Sequence, residues 1–380
     1  MRTAAVEIQL VRTFSALEAR REAWNRLVEC AQTSTVFQTY ECHASWWKAF
    51  GAGSRLFVLL ASAGDELLGI APLMLTERWV LGRCYRVAQF LGTRSFDYAD
   101  FIVNRDRPDV LPLLIVSLLD RLPPYNLLYL RDIPGTSSTV SELRALLKLR
   151  RIRNDVRMLY EAPTRLFNNP AEDCALPKKK SLKRHQRYFE KAGRLEFRNC
   201  VSVEEALAYL DVFFEQHVTR RSATDTPSVF HDGRARTFLR ELTRGLLPKG
   251  WLLFSILLFN ERPIAMHFGF EYGSRIVWYK PTFDMAFADH SPGEVLMKYL
   301  LEYALDRKAA ELDFTIGAEP YKYRYANHTR ANYAVRAFRQ WPDYHVTRVV
   351  LTARRLVERF PSASRVARKV LARWREQPWL

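Results

Sequence analysis

The chain has 380 residues, enough for two domains of ordinary size, and 48% of them are hydrophobic. Its 58 Lys and Arg outnumber 41 Asp and Glu, and the resulting formal charge of +17 favours anionic partners such as a phosphorylated cosubstrate, RNA or an acidic membrane surface. Five scattered cysteines without a CxxC pair, and eight histidines without metal-ligand spacing, argue against a disulfide framework and against a metal site. Without a signal-peptide core or a span-length apolar run, we expect a cytoplasmic protein, with a peripheral position at the inner membrane as the alternative.

The first half is predicted to be a strand meander followed by a helix and a further strand. Helices are expected at 15–30, 37–50 and 108–122, and strands at 56–61, 67–75, 85–91, 96–103 and 127–130. In strand 96–103, alternation would place Asp97 on one face and Tyr98 and Asp100 on the other. These polar side chains are predicted to line an acceptor-binding cleft; the alternative is that they are strand-end residues in solvent.

The segment 178–187 is strongly basic and is predicted to form a helix after the crossing between the two halves. Its basic residues are Lys178, Lys179, Lys180, Lys183, Arg184, His185 and Arg187. Lys183, Arg184 and Arg187 are predicted to contact phosphate groups of a donor substrate. The alternative is a solvated basic face.

The second half repeats the order of the first. Hairpin 251–270 echoes hairpin 56–75, and each hairpin is later followed by a helix and an apolar strand. We therefore predict two copies of an α/β unit, with domains at 1–165 and 166–340. The tail 341–380 is predicted to be a basic surface helix that binds acidic lipid or a partner, or else a solvated helix packed on the domain.

The stretch 278–325 combines a strand, a helix start and a second strand. Ser291, Pro292 and Gly293 predict the start of a helix, where a donor phosphate would be held. Residues 312–316 alternate as a strand and end at Gly317. A polar and aromatic cluster follows at the carboxyl end of this strand, and it includes the candidate catalytic residues Glu319, Tyr321 and Lys322.

Short motifs spread over roughly residues 20–340 carry a family resemblance. They are Trp46 and Trp47, 69–73, 90–92, 97–100, 181–187, 263–265, 291–293, 313–314 and 317–322. In their order they resemble the GNAT superfamily, and within it the CelD/BcsL-type acetyltransferases of cellulose and exopolysaccharide synthesis. The chain is also similar to the FemABX transferases, which share a doubled GNAT architecture and use aminoacyl-tRNA.

The resemblance implies a tandem GNAT fold of mixed sheets flanked by helices. It implies acyl transfer to an amine or hydroxyl, with acetyl-CoA or another acyl-CoA as cosubstrate and no permanently bound cofactor. In one respect the chain departs from the family: Pro292 supplies no backbone N–H, and the loop before the helix is poorer in glycine than the usual pyrophosphate loop. The donor therefore stays open between acyl-CoA and aminoacyl-tRNA.

Acyl transfer needs a neutral nucleophile, a donor to the oxyanion and an acid for the leaving group. The predicted acid is Tyr321, with Tyr323 and Tyr325 as alternatives. The base is sought among Asp313, Glu319 and His290, and Lys322 would hold a phosphate or carboxylate. Tyr279, at the end of its strand, is predicted to contact the acceptor.

Structural explanations stand beside these roles. They are aromatic packing for the tyrosines, a turn acceptor for Asp313 and an ion pair with Glu319 for Lys322. Three functions follow: an acyl-CoA-dependent acyltransferase in envelope polysaccharide biosynthesis, an aminoacyl-tRNA-dependent transferase, and a non-catalytic accessory protein of a membrane polysaccharide synthase.

Overall fold

The computed structural model describes residues 5–80, 83–222, 224, 227–340 and 342–345. These residues form two compact units. Unit 1 contains the described residues of Met1–Ser34, Gly53–Leu159 and Asn332–Leu380, and unit 2 contains those of Thr35–Ala52 and Tyr160–Ala331. Apart from residues 342–345, the predicted tail helix lies outside the described residues. The domain limits expected at 165 and 340 stay predictions.

The strands are, in chain order, β1 (Glu7–Val11), β2 (Ser54–Ala63), β3 (Glu66–Val80), β4 (Arg83–Phe90), β5 (Ile102–Val103), β6 (Leu127–Pro134), β7 (Arg153–Leu166), β8 (Leu195–Asn199), β9 (Leu252–Phe259), β10 (Arg262–Tyr272), β11 (Arg275–Phe283), β12 (Glu311–Asp313) and β13 (His328–Phe338). The helices are α1 (Arg21–Cys30), α2 (Tyr40–Phe50), α3 (Val110–Arg121), α4 (Thr139–Leu149), α5 (Pro170–Ala175), α6 (Lys180–Ala192), α7 (Val203–Ser222), α8 (Gly233–Leu246), α9 (Pro292–Asp306) and α10 (Pro320–Tyr323).

The strands of unit 1 run in the order β1-β2-β3-β4-β6-β13. All neighbours are antiparallel except β4 and β6, which are parallel with Val87 opposite Leu127. Helix α3 connects the meander to β6, and its buried face, including Leu114 and Leu118, packs with Phe57 and Leu59 of β2 in an apolar core of this unit. Burial of this face is what stabilises the unit.

Unit 2 has the same pattern, in the order β8-β9-β10-β11-β12-β7. Again only one pair is parallel, here β11 and β12, and a helix, α9, connects them. The predicted repeat of an α/β unit is therefore confirmed in the order and direction of the strands. Helix α2, although it precedes β2 in the chain, packs on α8 in unit 2, where Lys48 pairs with Glu241 at 2.8 Å.

Both faces of the unit 2 sheet are covered by helices, as the mixed α/β prediction requires. Along β9, Leu253 and Leu257 join the core beneath α9, whereas the ring of Phe254 lies 5.8 Å from that of Phe213 on α7. This alternation is the two-residue period of a strand buried on both sides. Among the described helices, none combines the length and the apolar composition that crossing a bilayer requires.

The last strand of each unit comes from a distant part of the chain. After β6 and α4 the chain enters β7, which pairs with β12 in unit 2. After β12 and α10 it enters β13, which pairs with β6 in unit 1, with Phe338 opposite Leu127. The last strand of unit 2, β7, therefore follows the parallel pair of unit 1 in the chain. The last strand of unit 1, β13, follows the parallel pair of unit 2.

Candidate active site

Strands β11 and β12 diverge at the centre of unit 2. They pair only from Arg275 opposite Glu311 to Val277 opposite Asp313, after which β12 ends and β11 continues to Phe283. The prediction of a strand to residue 316 is therefore wrong. The carboxylate of Asp313 accepts the N–H of Thr315 at 2.8 Å, and Thr315 takes a left-handed φ of 56°, which is rare for a β-branched residue.

Among the strands that the structure describes, none pairs with this side of β11 beyond Val277. The Oγ1 of Thr315 donates to the carbonyl of Trp278 at 3.2 Å and so stands in for the missing strand. Such a local departure from ideal geometry persists only when surrounding contacts fix it, and it is typical of functional sites. The gap between β11 and the segment after β12 is the candidate active site.

His267, on β10, contacts the part of β11 that borders this gap. Its ring stacks on Trp278, with ring centres 4.5 Å apart, and its Nε2 accepts the N–H of Tyr279 at 3.3 Å. Burial lowers the pKa of His267 to about 3, so the imidazole is neutral at physiological pH.

Tyr321 faces Trp278 at the start of α10. The indole Nε1 of Trp278 donates to the Tyr321 hydroxyl oxygen at 2.9 Å. Because that oxygen already accepts a hydrogen bond, its own O–H is the donor that remains for a substrate. Burial raises the pKa of Tyr321 to about 12, against smaller lowering effects from Trp278, Arg220 and Arg221. The hydroxyl is therefore protonated at neutral pH.

Lys322 and Glu319 hold the turn that carries Tyr321. The buried Lys322 ammonium donates to the carbonyls of Ile316 and Gly317, at 2.8 and 3.4 Å, and pairs with Glu319 at 2.9 Å. All three of its donors are thus used within the turn. The ion pair named as the structural alternative is present, and the substrate contact predicted for Lys322 stays a prediction.

The start of α9 lies against the same turn. Glu294, in its first turn, accepts from the Arg324 guanidinium and the Tyr325 hydroxyl, and Lys179 donates to the Arg324 carbonyl at 3.0 Å. His290, just before the helix, stacks on Tyr188 of α6 with ring centres 3.7 Å apart. The helix start, the segment after β12 and the basic helix therefore come together in unit 2.

Few backbone donors remain at the start of α9 for a phosphate. Pro292 has no N–H, and the N–H groups of Glu294 and Val295 both point to the carbonyl of Ser291, at 3.0 and 3.4 Å. Ser291 has a left-handed φ of 55° and makes no side-chain cap. The N–H of Gly293 is the donor left among these residues, and the phosphate contacts predicted for Ser291 and Gly293 stay predictions.

Helix α6 presents a row of exposed cations. Its exposed basic residues at helical spacing are Lys180, Lys183, Arg184, Arg187 and Lys191. The opposite side of the helix buries Leu182 and Phe189 in the core beneath α9. Three of the predicted donor-binding residues thus share one solvent-facing side of a helix next to the candidate site.

Tyr279 is buried on the other side of β11 from Trp278. Its ring lies 5.4 Å from that of Phe37 and 5.2 Å from that of Phe270, and the Lys280 ammonium lies 4.1 Å from its centre. These contacts are the aromatic packing expected of a core residue. Its predicted contact with the acceptor stays a prediction.

The three remaining predicted residues, Asp97, Tyr98 and Asp100, are buried in unit 1. The expected strand 96–103 is wrong, since only Ile102–Val103 is a strand. Asp100 instead accepts from the hydroxyls of Thr33 and Thr139, at 2.9 and 2.6 Å, and from the N–H of Phe101 at 2.8 Å. Acceptor binding by these residues stays a prediction.

Asp100 makes unit 1 sensitive to pH. Burial raises its pKa from 3.8 to about 6, against its hydrogen bonds, so the folded state retains a proton that the unfolded state loses between these values. Stability contributed by this group therefore falls as pH rises from about 4 to about 6, by up to roughly 3 kcal/mol. For Asp100→Asn we expect the unfolding free energy, relative to wild type, to rise across this window and to level off above it, as measured by urea denaturation at several pH values.

Asp120→Asn is the control, because Arg150 lowers the pKa of the exposed Asp120 and the slope should then have the opposite sign. A difference between Asp100→Asn and wild type that does not change with pH would show that Asp100 does not titrate in this range.

Sequence reasoning missed Arg220 and Arg221 at the end of α7. Arg220 donates from Nη2 to the carbonyl of Pro281 at 2.8 Å, beside the open part of β11. Both arginines act on the pKa of Tyr321. Their position in the last turn of a helix has an ordinary explanation, the helix dipole, and so gave no signal in the sequence.

Within the described part of the chain, no group of three or more His, Cys, Asp or Glu is arranged to hold a metal ion.

Solved structures resemble this fold at low sequence identity. FemX covers 90% of this chain with 99% of its own length, at 11% identity and a TM-score of 0.60. L-PGS from Bacillus licheniformis covers 89% with 96% of its own length, at 14% identity and a TM-score of 0.51. A conserved protein of unknown function from Bacteroides thetaiotaomicron covers 88% with all of its own length, at 14% identity and a TM-score of 0.55. These likenesses concern the fold.

Among curated protein sequences, none is significantly similar to this chain. Residues 178–323 match the family model described as Acetyltransferase (GNAT) domain. The match begins just before the basic helix α6 and ends with α10, so it contains β11, α9, β12 and Tyr321. Unit 1 repeats the strand order of the unit that holds this domain. Residues 178–323 are therefore similar to a GNAT acetyltransferase domain, and this similarity supports an acyltransferase activity.

Proposed function

We propose that the protein transfers an acyl group, acetyl in the simplest case, from acyl-CoA to an amine or hydroxyl acceptor. The observation that carries this proposal is the hydrogen bond from Trp278 to Tyr321, which leaves the Tyr321 O–H as a donor in the gap between β11 and the segment after β12. A protonated hydroxyl held by a fixed partner is the group that an acyl transfer needs beside the leaving thiolate.

In this reaction the nucleophile attacks the thioester carbonyl, the new C–N or C–O bond forms, and the C–S bond breaks. The Tyr321 O–H gives its proton to the departing sulfur, which leaves as a thiol; the nucleophile releases its own proton to solvent, and Tyr321 regains a proton from solvent. Lys322 and Glu319 act as positioning residues, because their ion pair and the two carbonyl contacts of Lys322 hold the turn before Tyr321.

The donor phosphates would be held chiefly by side chains. The start of α9 offers few N–H groups, whereas Lys183, Arg184 and Arg187 expose cations nearby on α6. Electrostatic contact of this kind suits the phosphates of CoA and does not require backbone N–H groups in a fixed arrangement.

For the biological role we propose envelope polysaccharide biosynthesis, with a sugar or another small molecule as acceptor. Its support is the resemblance to the CelD/BcsL type through the motifs given above. The basic surfaces would then serve a peripheral contact with the inner membrane or with a synthase complex.

The donor is tested by thermal stabilisation of the purified chain. A ligand that binds only the folded state raises the free energy of unfolding by mass action, by about 2.7 kcal/mol at a concentration a hundred times its Kd. The melting temperature rises with it. We expect acetyl-CoA to raise the melting temperature, and free pantetheine to raise the melting temperature less. Stabilisation by aminoacyl-tRNA and not by any acyl-CoA would favour the second candidate, a FemABX-like transferase, which the row of cations on α6 also suits. Failure of every donor to stabilise the protein would favour the accessory role.

The cations of α6 give a prediction about donor binding. Replacing Lys183, Arg184 and Arg187 together by Gln should weaken acetyl-CoA binding about tenfold at low salt, which corresponds to about 1.4 kcal/mol. The loss should shrink as salt is raised, because screening already weakens the wild-type contacts. Isothermal titration at several salt concentrations measures both effects.

The control replaces Arg12, Arg144 and Lys148, three exposed cations of unit 1, by Gln. It lowers the net charge by the same amount and should leave the affinity near that of wild type. Equal losses for the two triple variants would mean that only the overall charge matters, and the α6 contact would be rejected.

A further inference from the structure

The parallel pair of unit 1, β4 and β6, is as short as the parallel pair of unit 2. The strands pair over three residues each, and the last pair is Gln89 opposite Tyr129. Beyond it β4 stops at Phe90, whereas β6 continues to Pro134. In open α/β sheets, ligands bind outside the carboxyl ends of the parallel strands. The end of this pair is therefore a place in unit 1 where a ligand site is expected.

Three side chains stand in a row across this end, on one face of the sheet. Arg336 of β13 is opposite Tyr129, and Tyr129 is opposite Gln89, so the Cα atoms of Gln89 and Arg336 are about 10 Å apart. The guanidinium of Arg336 lies 5.0 Å from the centre of the Tyr129 ring. Val87, two residues before Gln89, shares an apolar cluster with Tyr129, which places Gln89 on the same face.

Buried polar atoms at both ends of this row lack a partner within the part of the chain that the structure describes. Arg336 is only 7% exposed, yet there it forms no ion pair, and its buried Nη1 makes no hydrogen bond. Gln89 is 3% exposed, and its Oε1 accepts no hydrogen bond there, although its Nε2 donates to Thr76 at 3.4 Å. Buried polar atoms are normally paired, because desolvation without a partner is costly, most of all for a charge.

The contact with the Tyr129 ring explains the position of Arg336 only in part. An aromatic face attracts a cation, but it does not replace the oxygen acceptors that the five N–H groups of a guanidinium require. Arg131 on β6 shows the usual arrangement, since its Nε pairs with the buried carboxylate of Asp132 at 2.7 Å. No carboxylate among the described residues does the same for Arg336.

The unpaired groups indicate the chemistry of a ligand. Arg336 requires a negatively charged acceptor, and a monoanion would balance its single charge. A planar carboxylate matches the fork of a guanidinium with two N–H···O bonds. The Oε1 of Gln89, on the other side of Tyr129, requires a donor, which is a hydroxyl or an N–H. A hydroxy- or amido-carboxylate carries both groups.

We propose that Gln89 and Arg336 form a binding site in unit 1 for a small carboxylate that also carries a hydroxyl or an N–H. The carboxylate pairs with Arg336, and the hydroxyl or N–H donates to the Oε1 of Gln89. Both residues lie outside 178–323, the part of the chain that is similar to a GNAT domain. The proposal therefore does not depend on the acyltransferase function proposed for unit 2.

The test compares three small ligands by ligand-observed NMR titration of the full chain. Lactate carries a carboxylate and a hydroxyl, lactamide lacks the charge, and propionate lacks the hydroxyl. We expect lactate to bind about tenfold more tightly than either of the others. Arg336→Met should remove the preference over lactamide, and Gln89→Met the preference over propionate. The control is Arg144→Met, on the exposed side of α4, which should bind as wild type does.

Melting curves without ligand provide a second measurement. Arg336→Met should melt at or above the wild-type temperature, because it removes a buried charge that has no counter-ion among the described residues. If this variant does not fold, Arg336→Lys keeps the charge but loses the fork, and it should bind lactate about tenfold more weakly than wild type does.

Three results would overturn the proposal. The first is that lactate, lactamide and propionate bind equally or not at all. The second is a preference for lactate that the Arg336 and Gln89 variants retain. The third is tighter binding of inorganic phosphate than of lactate, which would replace the monoanion by a more highly charged ligand.

Discussion

Replacing Tyr321 by Phe should lower kcat by about 10²–10⁴, the range typical of losing a general acid. The change removes the hydroxyl that accepts from Trp278 and that would donate to the leaving thiolate, and it keeps the ring that packs under α9. Since donor binding depends on groups elsewhere, KM for the donor should change little. The measurement is thiol release with the donor that stabilises the protein, together with a melting curve for the variant.

Tyr323→Phe is the matched control for this experiment. Tyr323 lies two residues away, is exposed, and directs its hydroxyl to Glu161. Its loss should leave kcat within about twofold of wild type, since exposed hydrogen bonds are worth little. If Tyr321→Phe folds and turns over as fast as wild type, proton transfer lies with another residue, and the role assigned to Tyr321 is refuted.

Gly269→Ala should be among the most destabilising single substitutions in unit 2. Gly269 lies at the bulge of β10, where a Cβ would come within 2.0 Å of the His267 ring and 2.4 Å of the Val277 carbonyl. The carbonyl belongs to the backbone of β11 and cannot move without disturbing the strand. Overpacking of this kind costs about 3 kcal/mol, which for a unit of this size corresponds to about 6–12 °C in Tm.

The same substitution should reduce activity beyond its effect on stability. The Cβ would displace His267, which stacks on Trp278, and Trp278 in turn holds Tyr321. The control is Gly233→Ala at the start of α8, where no atom lies within 4 Å of the added Cβ. That variant should melt within about 1–2 °C of wild type or slightly above it, because alanine suits a helix. Equal melting temperatures for the two variants would contradict the packing argument at Gly269.

Local chemistry made much of unit 2 predictable. The start of α9 follows from Pro292, whose fixed φ suits the first helical position. The hairpin β9–β10 follows from two apolar runs around a short polar turn, and Asn260 and Glu261 take the left-handed conformation that such a turn needs. Each of these features depends on residues that are adjacent in the chain, and it could therefore be predicted from the sequence.

Features that depend on distant residues were not predictable in this way. Residues 97–100 alternate like a strand, but Asp100 is satisfied by Thr33 and Thr139, and the segment forms a buried loop instead. Similarly, β12 stops at Asp313 because its carboxylate turns back to the N–H of Thr315. In both places hydrogen bonds to a buried carboxylate replace the hydrogen bonds of a strand. The spacing of the apolar residues does not reveal these contacts, so the sequence still predicts a strand.

The roles of the candidate site residues stay predictions. The α9 start and the segment after β12 do lie together, since Glu294 contacts Arg324 and Tyr325, as the topology of an α/β crossover favours. The two arginines at the end of α7 were missed, because their meaning depends on which strand lies beside that helix end.

The long-range origin of β7 and β13 has a consequence during synthesis. Strand β6 is complete at Pro134, but its partner β13 begins only at His328, so one edge of unit 1 lacks its neighbour while nearly two hundred residues are still being made. An unpaired edge is where strands of different molecules join. Nascent chains should therefore be most prone to aggregation when truncated between these strands, and a gene cut at the middle should yield two insoluble halves that recover their structure only when refolded together.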